Sequence, residues 1–271
     1  MGFLFVDRIE ALDEHGARGH LDLMPGEAAL PPWLILEAVG QLAAWIAMAR
    51  TNFLSRPVAA LVGEALLDCS AWCDRADGPV ELTAQLERID GRAVLYTGTA
   101  SCGGRVIASL SRCVGPLLPV ALFDDPEAMR ERLGVLRHGG GPVRRLPPPA
   151  FPVATAITVD AAGARHAHLR VPDAAPYFAD HFPRRPVFPA TLLAAVLDAL
   201  AAPAATAALG GAAHVVAVRD YKVRAFSEPG SALDIVAEPQ AVRDGVVSVR
   251  VGATTDGKRT ATGRFDYRVA S

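Results

Sequence analysis

The chain has 271 residues, enough for one large domain or two of about 120–150 residues. Hydrophobic residues make up 51% of it, so a sizeable core can form. The formal net charge is −2, with no long run of one sign, which argues against nucleic acid as the main partner.

In chain order, the opening "FLFVDRI" meets charge at Asp7 and Arg8, too soon for a signal-peptide core. The stretch "PPWLILEAVGQLAA" (31–44) then predicts a long apolar helix over 33–49, with proline near its start, where a helix tolerates one. Glu37 and Gln41 interrupt it, so it reads as a buried helix rather than a membrane span. The cysteines Cys69, Cys73, Cys102 and Cys113 include a C-x-x-x-C spacing with no His-x-x-x-His after it. Free buried thiols in a reducing, cytoplasmic setting are therefore expected, and no metal site. Val80, Leu82, Ala84 and Leu86 alternate with polar residues, the mark of a strand with one buried face. Asp90-Gly91 follows as a hairpin signal.

Residues 125–136 predict a short amphipathic helix, and the Gly and Pro run at 139–152 reads as a linker. Beyond it, His166 and His168 alternate on a predicted strand and suggest no chemistry. The loop "HFPRRPVFPA" (181–190) leads into a second long apolar helix. That helix is rich in alanine and contains Asp198 and Pro203, so it too reads as buried rather than spanning. Asp244-Gly245 and the alternating Val247, Val249 and Val251 predict a further hairpin.

The chain reads as two similar halves. In the helices Pro31 aligns with Pro189, Leu34 with Leu192 and Leu42 with Leu200. Downstream, Asp90-Gly91 aligns with Asp244-Gly245, Gly98 with Gly252 and Gly103 with Gly257. Each half is one long helix followed by several antiparallel strands, an α+β arrangement in which a sheet wraps around its helix. The expected domains are 1–120 and 151–271, joined by a linker with a short helix at 121–150.

Two residues are out of place in these patterns. Glu37 sits in an apolar helix with Gln41 one turn on, and residues at i and i+4 share a face. It either reaches solvent or a neighbouring loop, or it is a buried carboxylate that must be neutralised, paired or used. His181 sits in a loop stiffened by Pro183 and Pro186. It is either a packed loop histidine or a base, and the helix beginning at 190 would point free N–H groups toward it.

At these stretches the sequence resembles the hotdog-fold 3-hydroxyacyl-[acyl carrier protein] dehydratases. Their loop has the form H-F-P-G-x-P-x-M/F-P-G, matched by "HFPRRPVFPA" with Arg184 and Ala190 in the two glycine positions. Their helix reads roughly L-I-x-E-A-x-x-Q, matched by "LILEAVGQ" (34–41). "FLFVDRI" (3–9) and "VRAFSEPGSAL" (223–233) resemble further segments of the family. The resemblance implies a double hotdog: two antiparallel sheets, each wrapped around a long central helix, packed as a pseudo-dimer. It also places the acid fourteen residues after the histidine, where this chain has Ala195 after His181 and Leu23 before Glu37. The first half thus keeps the acid and the second the histidine, and two hotdogs packed as in the family would bring His181 and Glu37 into one composite site.

The resemblance further implies dehydration of a 3-hydroxyacyl thioester to a 2-enoyl thioester, with no cofactor beyond the phosphopantetheine that carries the substrate. His181 would be the base, Glu37 the proton donor, the Ala190 N–H the oxyanion donor, and Gln41 a support for Glu37. Acyl carrier protein would be the partner, docked by Arg184, Arg185, Lys222 and Arg224 unless these are ordinary surface charges. Ketosynthase or other enzymes of a fatty acid or polyketide pathway would be further partners, with pairing into a homodimer open and no membrane partner expected. Two alternatives stand beside this one: a hotdog acyl thioesterase, and a non-catalytic acyl-binding or scaffold subunit.

Overall fold

A computed structural model describes residues 3–23, 30–58, 60–68, 78–139 and 152–269. The first half contains β1 (Arg8–Leu12), β2 (Gly16–Leu21), α1 (Pro32–Arg50), β3 (Ser55–Pro57), β4 (Leu61–Leu67), β5 (Val80–Ile89), β6 (Ala93–Cys102) and β7 (Arg105–Pro119). A connecting helix, α2 (Pro126–His138), follows. The second half contains β8 (Thr155–Val159), β9 (Arg165–Arg170), α3 (Ala190–Leu209), β10 (Ala213–Val223), β11 (Ala232–Pro239), β12 (Val247–Thr255) and β13 (Lys258–Val269).

The strands run β1-β2-β5-β6-β7-β4 in the first half and β10-β13-β12-β11-β9-β8 in the second, with β3 paired to β7. Read outward from the junction, the two halves have the same internal order. Where two sheets were expected, there is one continuous antiparallel sheet. The reason lies in β4 and β10, each of which ends its own half's ladder and would otherwise present unpaired N–H and C=O groups. They pair with each other instead, Ala65 opposite Val218 and Glu64 opposite Arg219. The Arg219 guanidinium then bonds to Glu64 across the junction and to Asp266 at 2.8 Å.

The strand patterns follow from side-chain alternation. In β5, Val80, Leu82, Ala84 and Leu86 are buried and the residues between them exposed. In β12, Val247, Val249, Val251 and Ala253 are buried. Both halves use the same two-residue turn with positive φ at both positions: Gly103-Gly104 joins β6 to β7, and Asp256-Gly257 joins β12 to β13. This backbone matches the right-handed twist of the flanking strands.

The buried sides of the sheet meet the two long helices. α1 packs on β5, β6 and β2, whereas α3 packs on β11, β10 and β12, and the helices touch each other. Both are long and apolar enough to cross a membrane, yet most of their residues lie against protein. Leu34, Ala38, Val39, Leu42 and Ala43 of α1 are inaccessible to solvent, as are Leu192, Leu197 and Ala201 of α3. Pro203 lies inside α3 without ending it. The connecting helix starts on Asp125, whose side chain accepts from the Glu127 and Ala128 N–H groups, a standard N-cap.

The cysteine expectation needs correcting. Cys102, at the end of β6, is disulfide-bonded, and Cys113 is a free buried thiol. Spacing along the chain does not report which thiols fold close together. Disulfides persist mainly in oxidising surroundings, so the cysteines lend no support to a reducing compartment. Cys69, Cys73 and most of the 139–152 run lie outside the described residues.

Candidate active site

His181 and Glu37 line one cavity of about 270 Å³ between the halves. Glu37 projects from α1 on a face shared with Gly40, Gln41 and Ala44, while Leu34, Ala38, Val39, Leu42 and Ala43 are packed into the core. Both of its oxygens are held. Gln41 Nε2 donates to Oε1 at 3.0 Å, and Thr191 Oγ1 donates to Oε2 at 2.8 Å. Gln41 is itself fixed by the N-terminal segment, since it accepts from the Phe5 N–H and donates to the Phe3 carbonyl.

His181 follows a 3-10 turn, Pro176–Ala179, and its N–H donates to the Tyr177 carbonyl. Its Nδ1 lies 3.0 Å from the Val187 carbonyl. A carbonyl can only accept, so Nδ1 carries the proton and Nε2 is the free, basic nitrogen. Burial pushes the imidazole below its ordinary value, and the positive charge of Arg56 acts in the same direction. The nearby negative charge of Glu37 and the bond to Val187 oppose that shift without reversing it. A lowered value favours the neutral ring, the form in which an imidazole can accept a proton. Phe3 closes one side, with its ring edge-on to the imidazole at 5.4 Å and its N–H bonded to Asp180.

Ala190 is the first residue of α3 and lines the cavity. An N–H in the first helical turn has no intrahelical acceptor. The helix start is pinned by Tyr221, whose hydroxyl donates to the Ala190 carbonyl at 3.0 Å. Beyond the polar groups the cavity is lined by apolar side chains such as Trp45, Met48, Val62, Leu110 and Leu193, a lining suited to an acyl chain.

The four basic residues do not form one patch of free charge. Arg184 bonds to Asp125 at 2.6 Å, and Arg185 lies over the Phe226 ring and 3.9 Å from Glu228. Arg224 donates to Thr262. Lys222 is exposed on β10, opposite Leu61 of β4. Ala195 packs against the core, and Leu23 is buried.

Sequence reasoning missed Thr191 and Arg56. Thr191 is a hydroxyl in the first turn of a largely apolar helix, which marks it in the sequence. Arg56 is one arginine in a three-residue strand, and nothing local marks it.

No protein-family model matches the chain, and no curated protein does. Among solved structures, the tesB protein of Mycobacterium avium subsp. paratuberculosis is similar at 12% identity, over 97% of this chain and 96% of its own, with a TM-score of 0.56. The 12:0-ACP thioesterase of Umbellularia californica matches at 8% identity, over 93% and 94%, with a TM-score of 0.58. A protein of unknown function with a hotdog fold from Alicyclobacillus acidocaldarius matches at 14% identity, over 96% and 95%, with a TM-score of 0.53. At these identities the likeness speaks for the fold alone, and this chain has the hotdog fold.

Proposed function

We propose that the chain is an enzyme acting on acyl thioesters, a double hotdog (1–120 and 151–271) with a single composite site. The reading that the site geometry supports best is dehydration of a 3-hydroxyacyl thioester. The observation carrying it is that a neutral imidazole and a doubly held carboxyl, one from each half, face one apolar cavity. His181 Nε2 would remove the C2 proton while negative charge builds on the thioester oxygen, which the Ala190 N–H would stabilise. Glu37 would act as the acid, passing a proton to the C3 hydroxyl. The C3–O bond breaks, C2=C3 forms and water leaves. Substrate carried on phosphopantetheine by an acyl carrier protein in the cytoplasm belongs to this proposal, with the exposed Arg184, Arg185, Lys222 and Arg224 as docking residues.

The fold neighbours favour a second reading, hydrolysis, over the first. The 12:0-ACP protein similar to this chain is a thioesterase by name. In that case the same pair would activate a water against the thioester carbonyl, and the thiolate would leave. Purified chain offered a 3-hydroxyacyl thioester and a saturated acyl thioester separates the two. Enoyl thioester without free thiol supports dehydration, free thiol from the saturated substrate supports hydrolysis, and neither product rules out both.

A further inference from the structure

The segment joining the halves grips the histidine loop. The Arg184 N–H donates to the Phe123 carbonyl at 3.0 Å, Nη1 to the Ala121 carbonyl and Nη2 to Asp125. Phe123, Phe182, Val58 and Val187 form a small buried cluster apart from the main core, with the two rings edge-on at 5.0 Å. Arg56 reaches into this cluster from β3. Its guanidinium carbon lies 4.0 Å from the centre of the Phe182 ring, and it pairs with the buried carboxylate of Asp124. Phe182 in turn stacks on the His181 imidazole, centroids 4.0 Å apart and planes 24° from parallel. A buried guanidinium is costly to desolvate, and apolar side chains can fill such a space at least as well. Its presence one ring away from the imidazole therefore points to a role that a filler would not perform.

We propose that Arg56 is a positioning residue: it holds the His181 imidazole through Phe182 and, through Asp124, ties the histidine loop to residues 120–125. This rests on reading His181 and Glu37 as the active pair. A guanidinium suits the task because its flat face can lie on a ring while its edge meets a carboxylate, which an ammonium cannot do. The charged and titratable groups around His181 are Glu37 from α1, Arg56 from β3, and Tyr177 and Asp180 from its own loop. Asp124 and Arg132 line the same cavity.

The test uses the full chain with Arg56→Met, Arg56→Lys and Asp124→Asn, reading kcat, KM and the NMR titration of the His181 ring. Arg56→Met is expected to lower kcat by up to about 100-fold, the cost of a small misplacement of a reacting group, with KM little changed. The His181 titration should move up, because a neighbouring cation is gone. Arg56→Lys should keep the titration near its original place and still lose kcat, because the flat stack is lost. The inference is overturned if Arg56→Met changes neither kcat nor the titration, or if Arg56→Lys restores both fully. Should Arg56→Met fail to fold, the isosteric Asp124→Asn decides, with a fall in kcat at steady KM expected and an unchanged kcat overturning the tie. If the unaltered chain turns over neither thioester, the functional reading fails. The titration and the ring-current shifts of His181 then still decide whether Arg56 positions the imidazole.

Discussion

The two halves share a strand order, a buried helix and a matched two-residue turn, yet they differ where their helices face the cavity. α1 brings Glu37 there, held at both oxygens. On α3 the corresponding position is Ala195, packed against the core, and the carboxylate of that helix is Asp198, three residues on. Asp198 accepts from the Tyr267 hydroxyl at 2.7 Å and the Trp33 indole at 3.1 Å, and burial pushes its pKa up. The two carboxylates are both half-buried and both bonded, but of the two only Glu37 lines the cavity with a basic nitrogen. A bonded acid on a core helix is therefore not itself a site; what it faces decides.

The largest expected effect comes from removing one member of the pair. His181→Ala or Glu37→Gln should each lower kcat/KM by about 10²–10⁴. The double variant should lose little more than the worse single one, since residues acting as a unit are not additive. Losses that multiply would show that the two act independently. The activity of the unaltered chain should also fall on the acid side only below 6.5, the ordinary histidine value, because the His181 value is lowered. An acid limb above 6.5 would contradict a depressed imidazole.

Moving the acid sharpens the comparison. Glu37→Ala combined with Ala195→Glu should recover no activity, because Ala195 packs against the core and does not line the cavity. The added carboxylate should also lower stability by about 1–3 kcal/mol on denaturant unfolding. Recovered turnover would mean that the two halves are interchangeable. A smaller effect is expected for Thr191→Val, which removes one of two bonds to Glu37, worth about 0.5–1.5 kcal/mol, or up to roughly tenfold in kcat/KM. An unchanged rate would mean that Gln41 alone orients the carboxyl.

Much of this was legible in the sequence because it is written in local pattern. The helices at 32–50 and 190–209, the alternation of β5 and β12 and the Asp-Gly turns at 90–91 and 244–245 all follow from spacing within a few residues. Glu37 and His181 stood out because each breaks the pattern around it. The bond from Thr191 to Glu37 links residues 154 apart, and no local period reports such a contact. The same holds for Arg56 with Asp124, for the disulfide at Cys102 and for the joining of two ladders through β4 and β10. The reach of Arg184 toward Asp125 was likewise hidden, since a surface arginine and a helix-capping aspartate each make sense alone.

The β4–β10 ladder has one more consequence. Where two separate chains must meet to complete a site, the fraction of complete sites follows their concentration by mass action. Here Glu37 and His181, which line one cavity, belong to one chain whose two halves are joined through a continuous sheet among the described residues. On the proposed reading the site is completed by folding itself, and dilution cannot take it apart.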